Sequence, residues 1–576
     1  MRRRLGLLLA LLVAGVLSVT PAASGSSPRT FTFYGSGYGH GLGLSQWGAY
    51  GLAQQGWTYK QILTHFYKGT TVGKASTVPS KLRIGLTQNQ SVVNLTAQGG
   101  KVELNLQGTG THVAWIPQGQ TWTVRASTTG TYRIKDAVAA LVGGQSWGSV
   151  SHGLVAAPAS GARVKVAETG HAYKRGTIEF NTYRPCDGCA YRERLIAVLG
   201  PQAYLYGVGE VPSSWPMQAL ETQALAARTY AFEKVARLGQ HRPTCNCGLY
   251  ASTLDQNYVG WDKESGSMGN RWVDAVVRTA DQVVKYKGSL IQAYYHSSSG
   301  GFTENNENVW GGSAIPYLRG VCDPGDFSSA NPVRTWTLTF TDAAITKKLA
   351  RYTGSIGTVT GFSGIVRGVS SRIKSITVAG TSKKATISGA ALKAALGMRD
   401  TRVWVNANRN VTGAIRDKYD ALMCAPGAPT GPQKIVTGGR RQTFANGALY
   451  RNAAWDRVIW LHGSVYTRYL QLGEFDGKLG LPVSDTRTVK SPKGCRTRRC
   501  TTTRFEAGGL YFKDATGVGL HELHGRLYRY FRSLGGVQSG LGFPTSDVRV
   551  GSSGATSATF ESGKITCTKK GVCSVS

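Results

Sequence analysis

The chain has 576 residues, too many for one hydrophobic core, so two or three domains are expected. Apolar residues make up 41% of it, which supports a buried core and excludes wholesale disorder. The formal charge is +36, but the basic residues are scattered along the chain, which argues against a nucleic-acid partner.

The sequence opens with MRRR, an apolar run from Leu5 to Val19 and small residues around Ala22 to Gly25, the pattern of a secretory signal peptide over 1–25. The run is shorter than the roughly 20 residues a spanning helix needs. A secreted chain, soluble or wall-associated once mature, is therefore expected. Removal of Arg2, Arg3 and Arg4 leaves +33, a charge suited to extracellular polyanions.

From Phe31 to Lys68 the chain is rich in glycine and aromatic residues. It reads as a strand with glycine turns, followed by helical spacing over Ser45 to Gln54 and Tyr59 to Phe66. Between Lys81 and Leu199, short alternating segments such as LRIGL, KVELNL, WTVRAS, RVKVAE and GTIEFN predict strands. A long helix is then predicted from Met217, Leu220, Ala224, Ala227 and Ala231, with Ser213 or Ser214 as N-cap, Pro216 in the first turn and Gly239 as its stop. Further strands are expected over Gln282–His296, Val333–Phe340 and Ile373–Ile387, and a short helix in GAALKAALGMRD. The fold class is thus α+β, a β-rich domain whose main motif sits by a helix, followed by a small repeat domain.

The linker APGAPTGPQ, 425–433, lacks apolar periodicity and separates 30–424 from 434–576. Beyond it LHGSVYTRYLQLGEFDGKLGLPVSD returns 62 positions later as LHGRLYRYFRSLGGVQSGLGFPTSD, and FANG at Phe444 returns as FEAG at Phe505 and FESG at Phe560. This tail holds 22 basic and 9 acidic residues, suiting it to anionic polymers.

Ten cysteines in an exported chain favour disulfides. Cys186 with Cys189, Cys495 with Cys500 and Cys567 with Cys573 are close pairs. Cys245 and Cys247 look too close to bond each other, which leaves Cys322 and Cys424 as distant partners. A four-thiolate zinc site at Cys186, Cys189, Cys245 and Cys247 is the alternative. No cofactor or required metal is otherwise expected.

Three long motifs carry a family resemblance. GEVPSSWPMQALETQALAARTYA and YHSSSGGFTENNENVWGG resemble two blocks of the sporulation stage II protein D / LytB family of peptidoglycan-acting proteins. YGSGYGHGLGLSQWGAYGLAQQGWTYKQILTHFYKGT resembles a third, which usually closes the domain but here opens it, so the motif order looks permuted. The resemblance covers about Phe31 to Met423, and the tail resembles LGFP repeats of actinobacterial walls, through LGLP at Leu479 and LGFP at Leu541.

The resemblance implies a lytic transglycosylase that cleaves the bond between N-acetylmuramic acid and N-acetylglucosamine without water, leaving a 1,6-anhydro end. Family members described as amidase enhancers imply the alternative, a non-catalytic module that holds glycan and stimulates a cell-wall amidase. A wall-anchored glycan-binding scaffold is a third reading. One carboxyl group can serve as acid and then base in the elimination, and Glu210 matches the family's catalytic glutamate. Val211, Pro212 and Trp215 would raise its pKa, while the following helix N-terminus favours the anion. The plainer alternative is a capping or ion-pairing glutamate.

The remaining candidates are assigned to substrate. Gln223, Arg228 and Tyr230 lie on or near the helix, where Arg228 offers a fork suited to carboxylates. His296, Ser297, Ser298 and Glu304 come from the second block, and His40, Gln46 and Trp47 from the glycine-rich one. Tyr38 and Trp47 have faces suited to sugar rings. Each also has a structural alternative as a helix contact, a turn or a buried hydrogen bond.

Overall fold

The computed structural model describes residues 28–126, 132–135, 153–489 and 500–576, and the proposed signal peptide and Cys495 lie outside them. The fold is α+β. No helix among the described residues is long and apolar enough to cross a membrane.

The alternating segments between Leu82 and Leu199 form a seven-stranded sheet and a five-stranded one, antiparallel except where Leu249–Tyr250 runs parallel to Leu82–Gln90. The period of two places Val93, Leu95, Val164 and Val166 from one sheet in the same core as Leu104, Leu154, Ile178 and Phe180 from the other. That core continues into the helix Met217–Leu238, which buries residues all round, including Leu220, Ala224, Ala227 and Ala231. Its N-cap is Pro216, with no side-chain cap, rather than Ser213 or Ser214; Gly239, at φ 76°, ends it. The helices Gln46–Gln54 and Tyr59–Phe66 pack against it.

A separate apolar cluster lies between the sheet Trp336–Thr341, Thr30–Gly35, Val403–Val405 and the sheet Val359–Arg367, Ile373–Gly380, Lys384–Ser388. The helices Asp342–Thr353 and Gly389–Leu396 cover it.

The tail repeats a unit of antiparallel strands and one helix, Gly463–Gln471 and then Gly525–Ser533. Each helix is entered through a left-handed glycine, Gly463 or Gly525 at φ 58° and 65°. The Tyr469 hydroxyl donates to Gly480 O, Pro482 bridges to Phe505 and Pro544 to Phe560. The same pattern occurs once more upstream, in the helix Gly413–Ala421. Gly413 has φ 58°, the Tyr419 hydroxyl donates to Gly427 O at 3.0 Å, and Pro429 bridges to Phe444. Ring pairs recur as well: Tyr419 with Phe444, Tyr469 with Phe505, and Phe531 with Phe560. Lys418 pairs with Asp485 as Arg468 pairs with Asp547. The segment 425–433 is therefore not a free tether, because Pro426 and Pro429 are buried and Thr430 N–H donates to Thr443 O.

Disulfides join Cys186 to Cys189, Cys567 to Cys573, Cys322 to Cys424, and Cys245 to Cys247. The last corrects the expectation that two cysteines so close would seek other partners. The four cysteines of the zinc alternative are thus paired as disulfides, which removes the thiolates that zinc would need.

Candidate functional site

Glu210 sits in a loop laid against the segment 257–260. Val208 bridges to Tyr258, and Gly209 N–H donates to Asn257 O at 2.7 Å. The approach needs glycine, since a Cβ on Gly207 would lie 2.5 Å from the Tyr258 ring and one on Gly209 2.9 Å from Val259. The return contact delivers the Asn257 N–H to Glu210 Oε1 at 2.6 Å. Tyr295 OH donates to the same oxygen at 3.0 Å, and the Gln46 side chain is a third hydrogen-bond partner.

Burial raises the pKa of Glu210 above the ordinary glutamate value. The Asn257 N–H, the Tyr295 hydroxyl, Gln46 and the nearby Lys263 charge oppose that shift without cancelling it. Lys263 is itself pushed down to about 8 by burial, against the pull of Glu210, and its Nζ donates to Val211 O at 2.5 Å. The outcome is a carboxyl biased toward its protonated form yet provided with donors for its anion. This is the combination an acid that must next act as a base requires.

Gln46 opens the helix that Ser45 caps, with Gly48 N–H donating to Ser45 Oγ. Its Nε2 donates to Gln223 Oε1 at 3.3 Å, so Gln46 and Gln223 stand together beside Glu210. Gln223 is buried and its Nε2 has no hydrogen-bond partner among the described residues. Trp47 follows, its ring 4.8 Å from that of Trp215 in the loop after Glu210. Ser297 O accepts the Trp47 N–H, and its own hydroxyl makes no hydrogen bond to described residues.

His40 and His296 form a neighbouring pair, ring centroids 5.4 Å apart. His40 Nδ1 accepts the Leu42 N–H, while His296 Nδ1 bonds Leu42 O at 3.1 Å and its buried Nε2 has no partner among the described residues. Burial lowers the pKa of His40 to about 4 and holds that of His296 well below the ordinary histidine value, so both are neutral near pH 7. Trp310, exposed, packs 5.1 Å from His40, and Tyr38 is also exposed.

Four expected ligand residues are engaged elsewhere. Arg228 is 1% exposed, and its Nη1 and Nη2 donate to the carbonyls of Thr279, Gln282 and Val276, so its fork fastens the helix to its neighbours. Tyr230 OH donates to Asp255, which also accepts Lys234 and Arg242. Ser298 is fully buried and donates to Asp326 at 2.9 Å, beside Ser299 with Asp323. Glu304, also buried, accepts from Asn308, Val369 and Ser370. Conversely, Tyr295, Asn257 and Lys263 were not expected. The only sequence signal for Tyr295 is its place directly before His296 in the second block.

The family model described as Stage II sporulation protein matches residues 191–286, the stretch holding Glu210, Gln223, Asn257 and Lys263. The amidase enhancer of Bacillus subtilis (strain 168) is 39% identical over 139 residues, 24% of this chain and 17% of the relative. Stage II sporulation protein D of the same organism is 32% identical over 176 residues, 28% of this chain and 49% of the relative. An uncharacterized protein of Brachyspira hyodysenteriae is 33% identical over 191 residues, 32% of this chain and 48% of the relative. The chain thus spans half or less of the length of the curated relatives it matches. The segment that carries Glu210 is therefore similar to Stage II sporulation protein D and to the amidase enhancer.

Proposed function

We propose that this protein is a secreted, cell-wall-associated lytic transglycosylase acting on peptidoglycan glycan strands. Glu210 donates its proton to the departing glycosidic oxygen as the bond from muramoyl C1 breaks. The C6 hydroxyl oxygen then bonds to C1, its proton returns to Glu210, and a 1,6-anhydro end forms without water. The observation that carries this reading is the raised pKa of Glu210 together with the two donors aimed at its Oε1, from Asn257 and Tyr295. A single carboxyl suffices, unlike the carboxylate pair of ordinary glycosidases. Trp47 and the exposed Tyr38 would offer faces for sugar rings, and the basic repeats would hold anionic wall polymers.

The similarity to an amidase enhancer favours a second reading, in which the residues around Glu210 hold glycan and the protein stimulates a wall amidase without cleaving. Mass spectrometry of peptide-free and peptide-bearing glycan after incubation separates the two. Anhydromuramoyl ends made by the parent and not by Glu210→Gln support the enzyme, and binding without cleavage on either substrate rejects it.

A further inference from the structure

A concavity of about 880 Å³, whose lining does not include Glu210, lies where the loop after the helix Gln46–Gln54 meets the helix Gly413–Ala421. Its wall combines Gln55, Trp57 and Phe327 with Arg334, Asp417 and Asp420. The charged groups are not all spent on one another. Arg416 pairs with Asp420 at 2.7 Å and lies over the Phe327 ring. Asp417 is exposed with no hydrogen bond or ion pair to described residues. Arg334 donates through Nη1 to Ser328 O and Ser329 O, leaving Nε and Nη2 without a bond to described residues. Free guanidinium donors, a free carboxylate and aromatic walls in one cavity complement a ligand carrying both a carboxylate and an ammonium group.

The geometry points to this cavity as a binding site for a short zwitterionic peptide, the stem borne by a peptidoglycan strand whose glycan lies at Glu210. The inference rests on the glycan-binding reading above. Scale supports it: the helix Gln46–Gln54 runs from the Glu210 contact at Gln46 to the cavity at Gln55, nine residues or about 13 Å. An extended tetrapeptide spans about 13–14 Å. A strand seated over Glu210 would therefore reach the cavity with one stem. Arg334 would take a stem carboxylate and Asp417 the ammonium of its diamino acid, while Trp57 lines the apolar wall.

The test uses the mature full chain carrying Glu210→Gln, titrated calorimetrically with the synthetic tetrapeptide L-Ala–γ-D-Glu–diaminopimelate–D-Ala. Saturable binding is expected, weakened about tenfold or more by Asp417→Lys and by Arg334→Gln. No saturable binding, or equal affinity in the Asp417→Lys variant, overturns the proposal. Asp417 is exposed, so its variant is expected to fold, and a melt checks this. The titration needs no cleavage, so its outcome is independent of whether anhydro ends form.

Discussion

Tyr295 OH stands 3.0 Å from Glu210 Oε1 and also accepts Gln256 Nε2 at 3.0 Å, so its proton is directed at the carboxylate. The carboxyl and the phenol lie 85 positions apart in the chain, and their meeting turns a lone motif glutamate into a tuned acid.

Tyr295→Phe removes a donor that stabilises the ionised Glu210. A hydrogen bond to a charged group is worth about 1.5–3 kcal/mol, so the Glu210 pKa should rise by about one unit or more. A reaction that starts from the protonated acid falls as pH rises through that pKa, and the variant should carry its activity to higher pH. An unchanged Glu210 titration, followed by carboxyl NMR, would refute the coupling.

Glu210→Gln should stabilise the fold at neutral pH. Because the folded pKa is raised, the protein gains its full stability from this group below about 4.5 and loses it as pH rises through the folded value. Chemical melts at pH 4 and pH 8 should show the two proteins converging in acid, with the variant ahead in base.

Asp323 gives a second, structural case. Burial and the adjacent Asp326 push its pKa well above the usual carboxylate range, and its Oδ1 has no hydrogen-bond partner among the described residues. The same sign holds: its contribution is complete below about 3.8 and declines as pH rises. Asp323→Asn should therefore flatten the loss of melting temperature between pH 5 and pH 8, and an equally steep loss in the variant would count against this account.

Gly209→Ala places a Cβ 2.9 Å from Val259, on the segment that delivers the Asn257 N–H. The loop must shift, at about 1–3 kcal/mol in stability. Formation of anhydro ends should drop more than unfolding accounts for, as judged by activity measured well below the melting temperature. Activity equal to the parent would show that the Asn257 contact is dispensable.

The class of the fold and most of its elements were legible because period-two and helical patterns are local, as in Val92–Gln98 and Met217–Leu238. Where side chains point was less legible. Ser298 looked available for sugar until Asp326, 28 positions on, took its hydroxyl, and Arg228 looked like a ligand fork until three carbonyls filled it. Long-range pairing of polar groups has no sequence period to reveal it. The upstream unit at Gly413 was missed for another reason: APGAP keeps the glycine and proline that its turn needs but not the leucines that mark LGLP and LGFP.

The Cys322–Cys424 bond joins the turn after the helix of that upstream unit to the segment beside Asp323 and Asp326, and the cluster of Ile415, Tyr419, Phe444 and Leu449 packs around it. A pull on the C-terminal repeats is therefore carried into the main domain by a covalent strut and a packed joint, not by a slack cord. Wherever the tail is fastened, it also fixes the heading of the domain that contains Glu210, much as a bracket sets the angle of a lamp.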